Sequence, residues 1–301
     1  MGKKFKNRVI FSQPWGGLGD NLAFTNLPEL FYKSEVAFYI SRLNYTRNKD
    51  IHELCWGHNE FVKKLKRTIP NIGFKTIEES GYKVFDQKYN SVQNINVTHG
   101  FGPGYGYPTI KLPSNIKHKS NEHFDHVIDF HAYSIFNDSE FTYEEESFKE
   151  KVKYYTTPNS FSLAYPNLYD SDIKNKNIIK VSDLNRLVLI LLKTNTFVCL
   201  NSGSHVLAST LKNLTGFPKN IISFNDIKDL NVEINNHSIL NKRGLFYFDN
   251  VKYEKINIVK KNLNKLEFKD SQDITKNMRK SLKYHRKIFY YQKKINTFLG
   301  K

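Results

Sequence analysis

Short apolar runs and longer segments of helical periodicity take turns along this chain. "RVIFSQ" (8–13) reads as a strand, and a glycine-rich turn follows it. From Asp20 to Lys33 apolar residues recur at helical spacing, with Pro28 predicting a kink. "EVAFYIS" (35–41) is a second strand and "DIHELCWGHNEFVKKLKRT" (50–68) a second helix, with "NIGF" and "NINVTHGF" as two further short runs. A second series opens with the strand "HVIDFHAYSIF" (126–136) and the acidic helix "YEEESFKEKVKYY". It continues through strands "SFSLAYP" (160–166) and "NIIKV" to the helix "SDLNRLVLILLKT" (182–194), for which Ser182 and Asp183 are good caps. Strand "TFVCL" (196–200), helix "SHVLASTLKNL" (204–214) and strand "NIISF" (220–224) complete it. Strands alternating with helices predict an α/β protein with parallel sheets, in two consecutive units.

"KLPSNIKHKSNE" (111–122) is polar and lacks an apolar period, which makes it the linker and places the domains at 1–118 and 119–250. Residues 251–301 form a third region. There "DITKNMRKSLKYHRKIFYYQKKINTFL" keeps its apolar residues near one face and fills the rest with Lys and Arg, the pattern of a long basic amphipathic helix.

Composition narrows the picture. The chain has 301 residues, 39% hydrophobic and 14% aromatic, which suits a globular protein with a real core. Its formal net charge is +17, and Val251–Lys301 alone holds 15 Lys plus Arg against 4 Asp plus Glu, a net of +11. Positive charge so localised implies an anionic partner: phosphorylated substrate, anionic lipid or nucleic acid. Cys55 and Cys199 have no partner spacing, which argues against a disulfide framework or zinc site. No run of about 18 apolar residues occurs and the first apolar run is too short for a secretory signal, so the expected location is the cytoplasm.

The candidate chemistry gathers at two loop-to-helix corners. The first is "PWGGLGDNL", where Gly16, Gly17 and Gly19 precede Asp20 and Asn21. A glycine turn entering a helix is a common phosphate seat, but neither a Gly-Lys-Ser/Thr ending nor a third glycine of the dinucleotide fingerprint is present. Asp20 is either a plain N-cap or a carboxylate held at the open edge of the sheet as a general base. The second corner is Asn201-Ser202-Gly203-Ser204-His205, after a buried strand and before a helix. Small residues there admit a ligand's close approach, the helix N-terminus favours a diphosphate, and His205 can donate to a phosphate oxygen; a tight turn with a capping Ser is the alternative.

Taken together, "GGLGDNLAFTNLPEL" and "LNSGSHVLASTL" are similar to the two hallmark segments of the ADP-heptose:lipopolysaccharide heptosyltransferase family. Gly16, Gly19, Asp20, Pro28 and Leu30 match the first, and Ser202, Gly203, His205, Leu207 and Ala208 the second. Asn201 stands where that family has Asp, and His205 follows Gly203 more closely than is usual there. The resemblance implies the GT-B architecture, two Rossmann-like domains facing across a cleft. It implies a metal-independent, inverting transfer with no cofactor, in which Asp20 is the base and the Ser202–His205 turn lies against the donor's diphosphate. The partners implied are a nucleotide-sugar and a cell-surface glycan acceptor, with heptose not selected over a hexose.

Remaining features weigh less. Lys193 and Lys212 are candidate cations for the departing phosphates. Tyr105, in the glycine–aromatic run "HGFGPGYGYP", can stack on a sugar or anchor a mobile loop. His131 and Ser134 are placed near the cleft at the end of their strand. Strand alternation splits the histidines and aspartates of "HFDHVIDFH" between two faces, so no metal site is expected. The basic tail is read as a brace on the first domain that also touches anionic inner-leaflet lipid. A non-catalytic nucleotide- or glycan-binding protein is the rival reading, and a nucleic-acid-binding protein, for which no motif appears, is the third.

Overall fold

In a computed structural model of the chain, the structure describes residues 5–13, 16–42, 44–64, 72–73, 89–112, 122–129, 142–143, 155, 160–164, 177–226, 247–256 and 258–259. The fold is mixed α/β with parallel sheets. The first sheet contains β1 (Asn7–Ser12), β2 (Val36–Ile40), β3 (Val62–Lys64) and β4 (Ile72–Gly73), in the order β3-β2-β1-β4. The glycine turn leaves β1, the strand at which the order changes direction. Phe11 of β1 forms the centre of an aromatic cluster, with ring centroids 5.0 Å from Phe24, 5.3 Å from Trp56 and 5.8 Å from Phe38. Burying rings of this size contributes roughly 1.5–3 kcal/mol each, which fixes the sheet against the helices behind it.

The predicted single helix from Asp20 to Lys33 is two helices, α1 (Leu18–Leu22) and α2 (Leu27–Lys33). Pro28 causes no kink because it occupies the first turn of α2, where its missing N–H has no intrahelical partner to lose. The predicted helix over 50–68 is also shorter. It consists of α3 (Lys49–His52), capped by Asn48, and a π-helical turn, Glu53–Gly57, before the chain extends into β3. "NINVTHGF" falls within and just after a helix, α4 (Ser91–Thr98). Asn90 and Gln93 there cap each other's backbone N–H groups and outweigh the local β-branched residues.

The second sheet contains β5 (Phe124–Asp129), β7 (Ser160–Ala164), β8 (Ile178–Lys180), β9 (Thr194–Leu200), β10 (Asn220–Asp226) and β11 (Lys252–Ile256). Its order is β11-β10-β9-β5-β7-β8 and every pairing is parallel. Counted in chain order this is the 3-2-1-4-5-6 arrangement of the doubly wound fold, whose direction reverses between β5 and β9. A small antiparallel pair joins β6 (Thr142–Tyr143) to β12 (Ile258–Val259). Among the described residues two helices pack on the second sheet: α5 (Leu184–Leu191), capped by Asp183 as expected, and α6 (Gly203–Thr215), closed by Gly216 at φ 81°. Among the described residues no helix is long and apolar enough to cross a membrane. The basic tail beyond residue 259, most of the linker and most of the acidic helix lie outside the described residues.

Candidate functional site

At the first corner the chain leaves β1 into a turn clasped by the segment that follows β2. The Tyr45 N–H donates to the Gln13 carbonyl at 3.0 Å, the Arg47 N–H donates to the Gly16 carbonyl at 2.9 Å, and Asn44 Oδ1 accepts the Gln13 N–H at 3.0 Å. Gly16 has no room for a side chain. A Cβ there would lie 2.7 Å from Tyr45 Cδ1 and 2.8 Å from the Arg47 nitrogen. Gly17 is the N-cap of α1, so Asp20 is not the cap; it sits three positions on and its Oδ2 accepts the Gly17 N–H at 3.2 Å. Asn21 is buried and faces inward. Its Nδ2 donates to the Gly17 carbonyl at 3.0 Å and its Oδ1 accepts the Trp56 indole N–H at 3.1 Å, which locks the turn from beneath.

Burial pushes the Asp20 carboxyl above the ordinary aspartate range. The Arg47 guanidinium and the Gly17 N–H pull the other way, and desolvation exceeds both. A raised carboxylate next to a helix-entry turn is the property a general base needs, and the local polarity of that turn alone would have lowered it.

At the second corner β9 ends on buried Leu200, and Ser202 is the N-cap of α6. Its hydroxyl is hydrogen-bonded to that of Ser204 at 2.8 Å. The Asn201 amide nitrogen is buried with no hydrogen-bond partner. Because β9 is next to β5 where the strand order reverses, this corner lies at the switch point of the sheet. Ligands of doubly wound folds bind there, outside the carboxyl ends of the strands.

His205 is turned into the protein. It is fully buried, its Nε2 is paired with the Tyr253 hydroxyl at 3.0 Å, and its ring packs on Phe248 at a centroid distance of 5.5 Å. Burial drives its pKa down to about 3, against a small opposing effect of the Ser202 carbonyl. At that pKa the imidazole is neutral, and its ring is enclosed by Tyr253 and Phe248. The same Tyr253 hydroxyl accepts the Phe248 N–H at 2.9 Å. Tyr253 ends a polar row, Asp129–Cys199–Ser223–Tyr253, that runs in register across β5, β9, β10 and β11. The row itself is not visible in the sequence, because only the strand register makes its four residues neighbours. Burial and the adjacent Asp129 hold the Cys199 thiol well above its usual range, which disfavours the thiolate.

The two corners touch. A Cβ on Gly203 would lie 2.9 Å from Leu18 Cβ and 3.2 Å from the Gly19 nitrogen, which brings the N-terminus of α6 directly onto α1. Gly16, Gly17, Gly19, Asp20, Asn201, Ser202, Gly203 and Ser204 therefore belong to one neighbourhood. Tyr45 and Arg47 join it, although no local pattern along the chain marks either.

Other expected residues fall elsewhere. Lys193 precedes β9, at the opposite end of that strand from Asn201, and is buried. Lys212 lies in the last turn of α6, where its Nζ donates to the Asn250 carbonyl at 2.9 Å. Neither reaches the corner, because a strand and a helix respectively carry them away from it. Tyr105 is 94% exposed on a loop with Gly104 and Gly106 at positive φ, and that loop is pinned by the side chains of Asn90 and Gln93. His131 and Ser134 lie outside the described residues. Among the described residues no group of three or more His, Cys, Asp or Glu is placed to hold a metal ion.

No protein-family model and no curated protein matches the sequence. Solved structures match over nearly the whole chain. TibC, an iron-containing dodecameric glycosyltransferase from enterotoxigenic E. coli, is 14% identical over 94% of this chain and 77% of its own, with a TM-score of 0.54. The chain has the fold of a glycosyltransferase. TibC in complex with ADP-D-β-D-heptose gives 13% identity over 95% and 77%, at a TM-score of 0.52. A glycosyl transferase family 9 protein from Veillonella parvula is 10% identical over 93% of this chain and 98% of its own, at 0.50.

Proposed function

We propose that this chain is an inverting glycosyltransferase that moves a sugar, heptose or hexose, from a nucleoside-diphosphate donor to a bacterial cell-surface glycan. The observation that carries the reading is the contact between the two corners. It puts a carboxylate of raised pKa and the N-terminus of a thirteen-residue helix on the same side of the molecule. The glycosyltransferase fold of the chain supports it. The donor bound to TibC makes ADP the first nucleotide to test.

In this reading residues 1–118 bind the acceptor, 119–250 bind the donor, and the pair forms a GT-B enzyme with the cleft at the corners. Asp20 takes the proton of an acceptor hydroxyl. The freed oxygen bonds to the anomeric carbon from the face opposite the diphosphate, the bond to the diphosphate oxygen breaks, and its electron pair leaves with the nucleotide. Negative charge grows on that oxygen as the bond breaks. The N-terminal amides of α6, the Ser202 and Ser204 hydroxyls and the Asn201 amide are the groups proposed to receive it, with no metal in the step. Tyr105 offers an exposed ring to the glycan. The charge of the basic tail, whose residues lie outside the described ones, is proposed to hold the enzyme at the cytoplasmic face of the inner membrane, near a lipid-linked acceptor.

A thermal-shift screen with ADP, UDP, GDP, CDP and CMP tests the reading. One nucleotide at about a hundred times its Kd raises stability by about 2.7 kcal/mol. No stabilisation by any of the five would refute it, and steep salt-dependent binding of nucleic acid would favour the rival class.

A further inference from the structure

The proposed transfer leaves part of a charge without a partner. A helix N-terminus supplies only about half a positive elementary charge, less than a departing diphosphate carries. Lys193 and Lys212 are at the far ends of their elements. Arg47 is at the corner itself. Its backbone N–H holds the Gly16 carbonyl at 2.9 Å, and its Nη2 lies 3.9 Å from the position of a Cβ on Gly17. That same Cβ position is 2.5 Å from Asp20 Oδ2. The next two residues, Leu18 and Gly19, are the ones on which Gly203 rests. The guanidinium and the α6 N-terminus therefore flank one short turn.

We propose that Arg47 is the cation that grips the donor's diphosphate, facing Asp20 before the donor binds and drawn onto the phosphates when it arrives. The proposal rests on the glycosyltransferase reading above. Arginine suits the task because its planar fork matches phosphate oxygens two at a time and keeps its charge when partly buried. Glycine at position 17 suits it too, since any side chain there would intrude between guanidinium and carboxylate. The move has a chemical consequence. When the guanidinium shifts to phosphate, Asp20 loses a neighbour that disfavours its protonation, and it becomes a stronger base at the moment the acceptor needs one.

The test is calorimetric titration of the wild-type chain, Arg47→Gln and Arg47→Lys with ADP, UDP, GDP and CDP, and with the nucleoside matching whichever of them binds. Arg47→Gln should weaken the diphosphate by about ten- to a hundredfold, the range for a lost charged hydrogen bond, and leave the nucleoside unchanged. Arg47→Lys should recover part of the loss, which a purely structural role in the 44–47 clasp would not produce. Equal diphosphate affinity in wild type and Arg47→Gln overturns the proposal while the enzyme reading stands. So does a loss confined to the acceptor's KM. Failure of the wild-type chain to bind any of the four, with no stabilisation by CMP either, overturns both.

Discussion

Gly203→Ala is the substitution most sensitive to the contact between the corners. The added methyl would sit 2.9 Å from Leu18 Cβ and 3.2 Å from the Gly19 nitrogen. Carbon atoms prefer about 3.5–4.0 Å, so the first distance is short by roughly 0.5–1 Å. Neither neighbour can swing aside, because one is a Cβ and the other is backbone. Overpacking of this kind costs about 1–3 kcal/mol. Alanine returns about 0.4–1 kcal/mol through helix preference and a less flexible unfolded chain. The net loss is therefore up to about 2.6 kcal/mol, or a fall of up to roughly 10 °C in Tm for a chain of this size, and about 1–3 kcal/mol against a control that gains the same alanine return without the clash. Gly102→Ala is the matched control, since a Cβ there meets nothing within 4 Å and its φ is not positive. Differential scanning calorimetry on both variants decides the matter. A Gly203→Ala protein as stable as Gly102→Ala, with nucleotide affinity intact, would show that α6 and α1 do not touch.

Further expectations concern burial and titration. Tyr253→Phe removes one hydroxyl that serves both His205 and the Phe248 N–H. Two orphaned buried groups should cost about 2–4 kcal/mol by urea denaturation. His205 is neutral in the native state with its pKa near 3, so the unfolded chain binds its proton first; stability drains as pH falls below about 6.5, at up to about 1.4 kcal/mol per unit. In His205→Gln that part of the acid slope should disappear from a series of Tm measurements. Asp20 has the opposite sign. Its raised pKa means the native state holds the proton more tightly, so its contribution is present at acid pH and is lost as pH rises through the native value. Asp20→Asn should therefore melt above wild type at pH 7, and the gap should close on acidification. Tyr105→Ala, at a fully exposed ring, should change stability by less than about 0.5 kcal/mol but raise the acceptor's KM in a transfer assay.

Much of the second sheet was legible because its central strands β5 and β9 are largely buried and read as apolar runs, and its helices carry plain start signals. Asp183 marks a helix start that the structure confirms. Legibility failed where apolar periodicity ran across a break. The pattern continues through Ala23–Asn26, so α1 and α2 look like one helix until tertiary packing separates them. "NINVTHGF" misled for a related reason: the deciding residues, Asn90 and Gln93, precede most of the apolar run and act through the backbone. At the candidate site the glycines could be located from sequence, since close approach leaves few alternatives to Gly. Arg47, Tyr45 and Tyr253 could not be, because each reaches the site from another strand or from the loop beyond one. His205 looked like a ligand because its position in the first turn of a helix is visible in the sequence, whereas the aromatic side chains that enclose it come from β11 and the turn before it.

The account centres on Asp20 as proton acceptor opposite a seat for the departing diphosphate. Single-turnover transfer by Asp20→Asn, measured beside nucleotide titration on the same preparation, tests this most directly. Loss of transfer by about 10²–10⁴-fold with nucleotide affinity unchanged is the predicted result. Transfer at the wild-type rate would contradict it.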